Sequence, residues 1–589
     1  MKRTVSIICF ISFILTAVFQ INVFAGELLK TDKTEYTECE PISVTAEGSG
    51  KDWVGIYLKT DKLGDDQAIR WYYVSQDGNK SGDTKDMRKA EKTNASRSKL
   101  ASIPAGEYII YLCENDGYGV IEQIPITVKE DTSPAAIPEA PSAVTYDRSA
   151  GEPGRADGVL KITVGEGAAP DRYIAYWAKN GKALEDYTAF APIKYTGKTT
   201  KYQITVNTLI PNEADSIIVY AAKGNKVSEK YAEEMLPDGC NAYDPGDPVY
   251  EMQVISDIHL NSSTSHIHNK HFASALEQIK KLSPDSIGIF INGDIADHGE
   301  VAEYKTFNRM LENAGEGLPS VYCAIGNHDL SSGPYDTKLS NFLKYTEPGE
   351  DSVYYDLWLN GTHFIFLGSE ATGLSAQLSS KQLNWFKEKL AENRDENRPI
   401  YVFLHQGIMD TVAGTFKYQG WHGINQSKKF SAIIKEYPEV VLFSGHSHWE
   451  MDSLNVMKAR DESLPTIFST AAVGYLWNDD ATASDSGIEG AEGYFFYVYG
   501  DKIVARGRDF DSGKWIASAQ FVVDYIGAGL EKEAGDPVGE KEEEKDVGTV
   551  GIPEKSNTGL VIGVVAGGLI LVSAVIAAAV ITKKKSRKA

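Results

Sequence analysis

Histidine is absent before His259, and all 11 histidines fall between His259 and His448. Core packing does not explain such a skew, whereas metal coordination does. Cysteine is scarce. The five that occur, Cys9, Cys39, Cys113, Cys240 and Cys323, are scattered, and without a thiolate cluster a structural tetrahedral zinc site is not expected. Positive charge is in deficit, with 59 Lys and Arg against 82 Asp and Glu and a formal net charge of -23. A basic surface able to track a phosphate backbone is therefore missing, and no stable nucleic-acid partner is expected. Nucleotides remain open as substrates, because a bound metal locally reverses the charge balance.

What is present starts at the chain ends. A length of 589 residues exceeds one ordinary domain. Lys2-Arg3, the apolar stretch Val5 to Val18 and Val23-Phe24-Ala25 form a secretory signal peptide over residues 1–25. Gly559 to Thr582 carries no charge and is long enough to span a bilayer as a helix, and a basic tail over 583–589 follows it. Positive charge on the cytoplasmic side places everything before residue 559 outside the cell. The expectation is a single-pass protein on the extracellular face of the cell membrane, of a Gram-positive bacterial kind. A sorting signal fits less well, since Pro553 and Thr558-Gly559 are too far apart for L-P-x-T-G. Residues 525–558 are acidic and lack core-forming periodicity, which describes a solvated stalk. A disulfide between Cys39 and Cys113 stays open in that setting.

Residues 26–131 alternate short β-rich runs with turns, among them Trp53 to Leu58, Trp71 to Val74 and Tyr108 to Leu112, and predict a β-sandwich. After a Pro- and Ala-rich linker, residues 142–240 repeat the style and predict a second. Their strand rhythm resembles immunoglobulin-like modules in the first case and fibronectin type III modules in the second. Exposed aromatics here leave a carbohydrate or protein ligand open beside a spacer role. From residue 249 strands alternate with helices expected over His268 to Leu282, Glu300 to Asn313 and Ser380 to Leu390. The strands from Tyr494 to Val523 are expected to complete the second sheet of this domain, which closes at 524.

Five stretches carry chemistry: V-I-S-D-I-H, I-N-G-D-I-A-D, A-I-G-N-H-D, V-F-L-H-Q and F-S-G-H-S-H, between Asp257 and His448. Each is a short apolar run, suited to a buried strand, that ends in metal-binding side chains. Side chains leaving the carboxyl ends of adjacent strands converge in one crevice. Mixed nitrogen and oxygen donors suit Mn, Fe, Co or Zn.

These five stretches, in this order, resemble the calcineurin-like metallophosphoesterases over residues 249 to about 510. The resemblance implies an α/β domain, an αββα sandwich, so that the chain is multidomain: two β-sandwiches, the catalytic domain, stalk and transmembrane helix. It implies two divalent metal ions, one held by Asp257, His259 and His448 and the other by Asn327, His405 and His446, with Asp294 bridging. Such a pair sits about 3.5–4 Å apart and lowers the pKa of a shared water to give the attacking hydroxide. His328 would be the general acid, oriented by Asp297 with Asp329 as rival. Tyr418, Trp421 and His422 would line the substrate pocket. His266, His268 and His271 are expected at the surface or rim, and His363 as an ordinary strand residue. His298 stands where the family's protein phosphatases carry Arg, and no Tyr ligand like that of purple acid phosphatases lies near Asp294. The implied activity is hydrolysis of a small extracellular phosphate ester, a diester ahead of a monoester. The rival is an adhesin or receptor that uses a catalytically silent version of the fold.

Overall fold

The computed structural model describes residues 24–524 apart from 26–27, 39, 64–67, 77–78, 91, 94–102, 134–136, 150, 168, 350–351 and 479–487. Residues 1–23 of the expected signal peptide, the expected stalk, the apolar run 559–582 and the basic tail lie outside the described residues. Among the described residues no helix is long and apolar enough to cross a membrane.

The N-terminal region is built of sheets. Leu29–Thr31, Ser43–Ala46 and Thr84–Asp86 belong to one sheet, and Trp53–Leu58, Arg70–Tyr73, Gly106–Cys113 and Val120–Lys129 to another. Alternation along Trp53–Leu58 decides which side chains meet. Val54 and Ile56 enter a core with Val44, Ile110 and Leu112, whereas Trp53 and Tyr57 take the opposite face. Cys113 is a buried free cysteine, and its proposed partner Cys39 lies outside the described residues. A second pair of sheets, carried by Gly158–Thr163 and Arg172–Lys179 among others, closes over Leu160, Ile162, Trp177, Ile217 and Val219.

From Tyr250 the chain runs through β1 (Tyr250–Ile255), α1 (Ile267–Leu282), β2 (Ile289–Asn292), α2 (Val301–Ala314), β3 (Val321–Ala324) and α3 (Tyr335–Thr346). It continues through β4 (Tyr355–Leu359), β5 (Thr362–Leu367), α4 (Ser380–Ala391), β6 (Ile400–Leu404), α5 (Ser427–Ile434), β7 (Val440–Ser444), β8 (Met457–Lys458) and β9 (Thr466–Ser469). The last strands are β10 (Glu492–Val498), β11 (Lys502–Asp509) and β12 (Lys514–Asp524). Two six-stranded sheets result, ordered β3-β2-β1-β10-β11-β12 and β4-β5-β6-β7-β9-β8. The strands β1 to β3, and separately β5, β6, β7 and β9, run parallel.

The sheets face each other across a core rich in phenylalanine. Phe290 lies over Phe364 at 4.7 Å and Phe403 over Phe443 at 4.9 Å. Helices α1 and α2 cover the outer face of the first sheet through Phe272, Leu276, Tyr304 and Phe307, and α4 and α5 cover the second through Leu383, Phe386 and Phe430. The arrangement is an αββα sandwich.

The final three strands correct one expectation. They extend the first sheet, with Met252 of β1 opposite Phe496 of β10. Tyr494 and Phe496 meet the inter-sheet core while Phe495 meets the helical layer, so β10 is apolar on both faces and fits an interior place. The outer edge of β12 is covered by the second sandwich. Leu209 N–H donates to Gln520 O at 2.8 Å, Val522 N–H to Asn207 O at 2.9 Å and Trp515 N–H to Asp186 O at 2.8 Å. An edge that would otherwise present unpaired backbone groups is thereby closed.

Candidate metal centre

The chemistry-bearing residues leave the carboxyl ends of five parallel strands. Asp257 and His259 follow β1, Asp294 and Asp297 follow β2, Asn327 and His328 follow β3, His405 follows β6, and His446 and His448 follow β7. All seven expected ligands are buried, with exposures between 0% and 6%. Asp257 (φ 51), His259 (45), Asp294 (50), His446 (66) and His448 (57) occupy the left-handed backbone region. Each such residue costs on the order of 1–3 kcal/mol and persists where the surroundings over-determine it, as functional sites do. The turns are also tight. A Cβ at Gly326 would collide with the carboxylate and backbone nitrogen of Asp294, so only glycine lets these two loops touch.

The imidazoles are held from behind. His405 donates from Nδ1 to Asn292 O at 2.8 Å and His448 from Nδ1 to Tyr475 O at 2.9 Å, which fixes the tautomer and turns each Nε2 inward. Nδ1 of His259 faces the Asp297 carboxylate at 3.3 Å. Inside, Nε2 of His448 lies 2.9 Å from Asp257 Oδ1 and 3.2 Å from Nε2 of His259. Nε2 of His405 lies 3.0 Å from Asp294 Oδ2, though not in hydrogen-bonding alignment.

Two donor groups emerge, Asp257, His259, Asp294 and His448 on one side and Asp294, His405 and His446 on the other, and Asp294 belongs to both. Asn327 adds an amide oxygen. Asp294 Oδ2, Asn327 Oδ1, His405 Nε2 and His446 Nε2 are buried without a hydrogen-bond partner. Four orphaned donor atoms in one place are costly unless a ligand satisfies them, and oxygen and imidazole donors suit a divalent cation. Burial disfavours every charge here. Even so, the carboxylates of Asp294 and Asp257 push His405 up to about 10, and His448 and His405 hold Asp257 down at about 2. Burial beside His405 drives His446 down to about 3. The two carboxylates thus draw positive charge into the site.

Several expectations change in detail. His328, about one-third exposed, donates from Nδ1 to the backbone carbonyl of Asp297 at 2.8 Å, whereas the Asp297 carboxylate is 3.9 Å away and faces His259 and His298. Asp329 is a fastener between loops. Its carboxylate accepts from Gly326 N–H at 2.9 Å, Ala296 N–H at 3.0 Å and the Tyr304 hydroxyl at 2.9 Å. Trp421 reaches the centre, with its ring 5.8 Å from His446 and 6.3 Å from His448. His422 is exposed beside it, and Tyr418, 78% exposed, stacks on Phe416 rather than on a ligand. His268 lies at the rim and donates to His259 O at 3.0 Å. His271 is buried and donates to Gly474 O at 2.9 Å, because α1 turns it toward the sheet. His363 is a buried strand residue paired with Asp356 at 2.9 Å.

Sequence reasoning missed Tyr475, whose carbonyl holds His448 and whose ring lies 4.3 Å from that imidazole. A signal existed. The apolar run of β9 ends a few residues before Gly474-Tyr475, and β9 is parallel to β7, so its end opens into the same crevice.

An αββα sandwich with aspartate, asparagine and histidine donors at its strand ends defines the class of metal-dependent phosphoric ester hydrolases. Residues 253–450 match the family model of the calcineurin-like phosphoesterases, and this segment is a calcineurin-like phosphoesterase domain. A cAMP/cGMP dual specificity phosphodiesterase of Mycobacterium tuberculosis is 22% identical over 270 residues, which span 44% of this chain and 78% of that protein. Among solved structures, purple acid phosphatase PPD1 of yellow lupin (Lupinus luteus) aligns with a TM-score of 0.35 at 11% identity, over 84% of this chain and 95% of its own. Vps29 of Chaetomium thermophilum aligns with a TM-score of 0.24 at 10% identity, over 47% of this chain and 98% of its own.

Proposed function

We propose that this chain is a cell-surface, dinuclear phosphoesterase that cleaves an extracellular phosphate ester, a diester in preference to a monoester. The observation that carries this reading is the set of four orphaned donors gathered around Asp294, a carboxylate shared by both donor groups. Asp257, His259 and His448 would hold one ion, Asn327, His405 and His446 the other, and Asp294 both. When bound, the ions supply Lewis acidity toward the phosphoryl oxygens and acidify a water enough for it to attack phosphorus near neutral pH.

The rest is the chain's own work. With Nδ1–H engaged by the Asp297 carbonyl, His328 carries its second proton on Nε2, at the partly exposed side of the ring. From there it would protonate the departing ester oxygen. Trp421 and Tyr475 wall the imidazoles and limit the water that reaches them. The diester preference is supported by the activity named for the mycobacterial relative. The surface location is supported by the leader-like residues 1–25 and by the apolar run with its basic tail.

The test is to strip the chain of metal, reload it with Mn, Fe, Zn or Co, and assay bis(p-nitrophenyl) phosphate beside p-nitrophenyl phosphate, with Asp294→Asn as control. Metal should restore turnover, the diester should be preferred, and the control should be inactive. Preference for the monoester would overturn the substrate class, and absence of turnover with two ions bound per chain would overturn the enzymatic reading. Protease treatment of intact cells should remove residues before 559; full protection would overturn the location.

A further inference from the structure

The first sandwich carries a ring cluster that has no part in the metal centre. Trp53, Gly55 and Tyr57 alternate along one strand on the face turned away from the inter-sheet core. Gly55 lies directly opposite Trp71 on one neighbouring strand and Tyr111 on the other. Four rings therefore surround a position without a side chain, and a Cβ there would come within 2.7 Å of Trp53 and 3.0 Å of Tyr57. Trp53 stands nearly perpendicular to Trp71 at 6.0 Å and to Tyr118 at 5.8 Å. Its indole N–H donates to Gly117 O at 2.9 Å, which ties the ring to the turn that bears Tyr118, itself 56% exposed.

Beside the small side chain of Ala68 these rings leave a recess of about 240 Å³, lined by Trp53, Tyr57, Ala68, Trp71, Asp116 and Tyr118. Pockets for drug-sized ligands run from roughly 300 Å³ upward, so this one suits a single ring or headgroup. Its one carboxylate, Asp116, is bound by Lys51 and by the Tyr73 hydroxyl. On a chain of net charge -23, the recess thus carries no unpaired charge among its described lining residues.

An aromatic-walled recess whose described carboxylate is already paired matches a neutral ligand that is apolar on its faces and hydroxylated around its edge. A gluco-configured pyranose has this form. Its hydroxyls are equatorial, and its axial C–H bonds point from the faces toward the electron-rich face of an aromatic ring. Equatorial β linkages keep those faces open in a chain of such units. A quaternary ammonium is drawn to the same ring faces, but the pyranose is favoured because the one carboxylate among the described lining residues is already paired with Lys51 and adds no net attraction for a cation.

We propose that this recess binds one ring of a neutral β-linked glucosyl or N-acetylglucosaminyl chain, and so holds the phosphoesterase against a glycan-bearing surface. The test is calorimetric titration of the full chain with cellotetraose and with tetra-N-acetylchitotetraose, with tryptophan fluorescence followed in parallel. At least one sugar should bind at a single saturable site and perturb the emission. Trp71→Ala and Tyr118→Ala should each weaken binding by about tenfold, roughly one aromatic contact. The exposed ring of Tyr231 serves as control, and Tyr231→Ala should bind as the parent does. All three variants should hydrolyse bis(p-nitrophenyl) phosphate at the parent rate. Absence of binding by both sugars at millimolar concentration, or equal binding by parent, Trp71→Ala and Tyr118→Ala, overturns the proposal. So does saturation by tetramethylammonium, lost in Trp71→Ala, without binding of either sugar. If Trp71→Ala loses its circular dichroism spectrum, Tyr118→Ala decides, since removal of that exposed ring leaves the core intact.

Discussion

His328 is tethered to Asp297 through the backbone, with Nδ1 at 2.8 Å from the carbonyl oxygen, while the carboxylate of the same residue faces Nδ1 of His259 at 3.3 Å. One residue therefore serves two neighbours through two groups. Asp297→Asn should keep the His328 tether and disturb the hold on His259. Loss of such a supporting partner costs about 10–100-fold in metal affinity, readable by competition with a chelator. At saturating metal, kcat should stay within about tenfold of the parent. A fall as deep as that of a His328 variant would show that the carboxylate orients the acid after all.

His328→Ala removes the proton donor and none of the metal donors. Turnover of an alkyl diester should fall about 10²–10⁴-fold, the usual weight of general acid catalysis, with metal content unchanged. A p-nitrophenyl ester, whose leaving group needs less help, should fall less. Equal losses on both esters would remove the acid role.

Gly326→Ala places a methyl group against the Asp294 carboxylate and backbone. The loops cannot part without moving Asn327 or Asp294, so the variant should fold with reduced metal content and lose at least about 10²-fold in kcat/KM, as small misplacements of catalytic groups do. Full metal content with parental activity would mean that the two loops can separate freely.

The two sandwiches differ in their attachment. The first reaches the second through ion pairs of Lys226 with Glu38 at 2.8 Å and Glu130 at 3.0 Å. Glu130 lies open to solvent, where such a pair adds little stability, and only Glu38 is buried. The second donates to and accepts from the β12 edge through backbone hydrogen bonds and contributes to a core that includes Ala517. Removal of residues 24–131 should leave the Tm of the catalytic domain within about 2 °C, whereas removal of 24–240 should lower it by several degrees and promote aggregation through the bared edge. Scanning calorimetry of both truncations decides.

His271 offers a pH signature outside the metal centre. Burial works against its charged form, but Glu489 at 3.8 Å and Asp511 at 3.7 Å outweigh it and raise the pKa. A raised folded-state pKa stabilises the fold below the unfolded value, and this contribution is lost as pH rises through the folded value. His271→Gln also strains the bond to Gly474 O, a cost of about 1–3 kcal/mol at any pH. Its destabilisation should therefore be larger at pH 5 than at pH 9. A loss that grows with pH would refute the assignment.

The donor identities were legible because short apolar runs must be strands in a covered sheet, and strands of one direction open at one end. That logic placed the five stretches at one crevice, and the family resemblance implied the ligand set Asp257, His259, Asp294, Asn327, His405, His446 and His448 within them. It failed at Tyr475, which acts through its carbonyl, and at His271, whose helical position reads as surface unless the helix's rotation on the sheet is known. The place of the strands from Glu492 to Asp524 was misjudged for a similar reason, since an apolar strand is compatible with either of two facing sheets.

By itself, the sequence determined which atoms could bind a cation and in what order they follow along the chain, and the family resemblance implied how they divide between two ions. Only the tertiary structure decided how those atoms are aimed. Left-handed backbone at five of the seven expected donors, the tethers behind His405, His448 and His328, and the closure of β12 by the second sandwich all depend on contacts between residues distant in the chain. Local pattern encodes burial and periodicity, whereas the register between remote segments is set by packing and backbone hydrogen bonds that no short stretch contains.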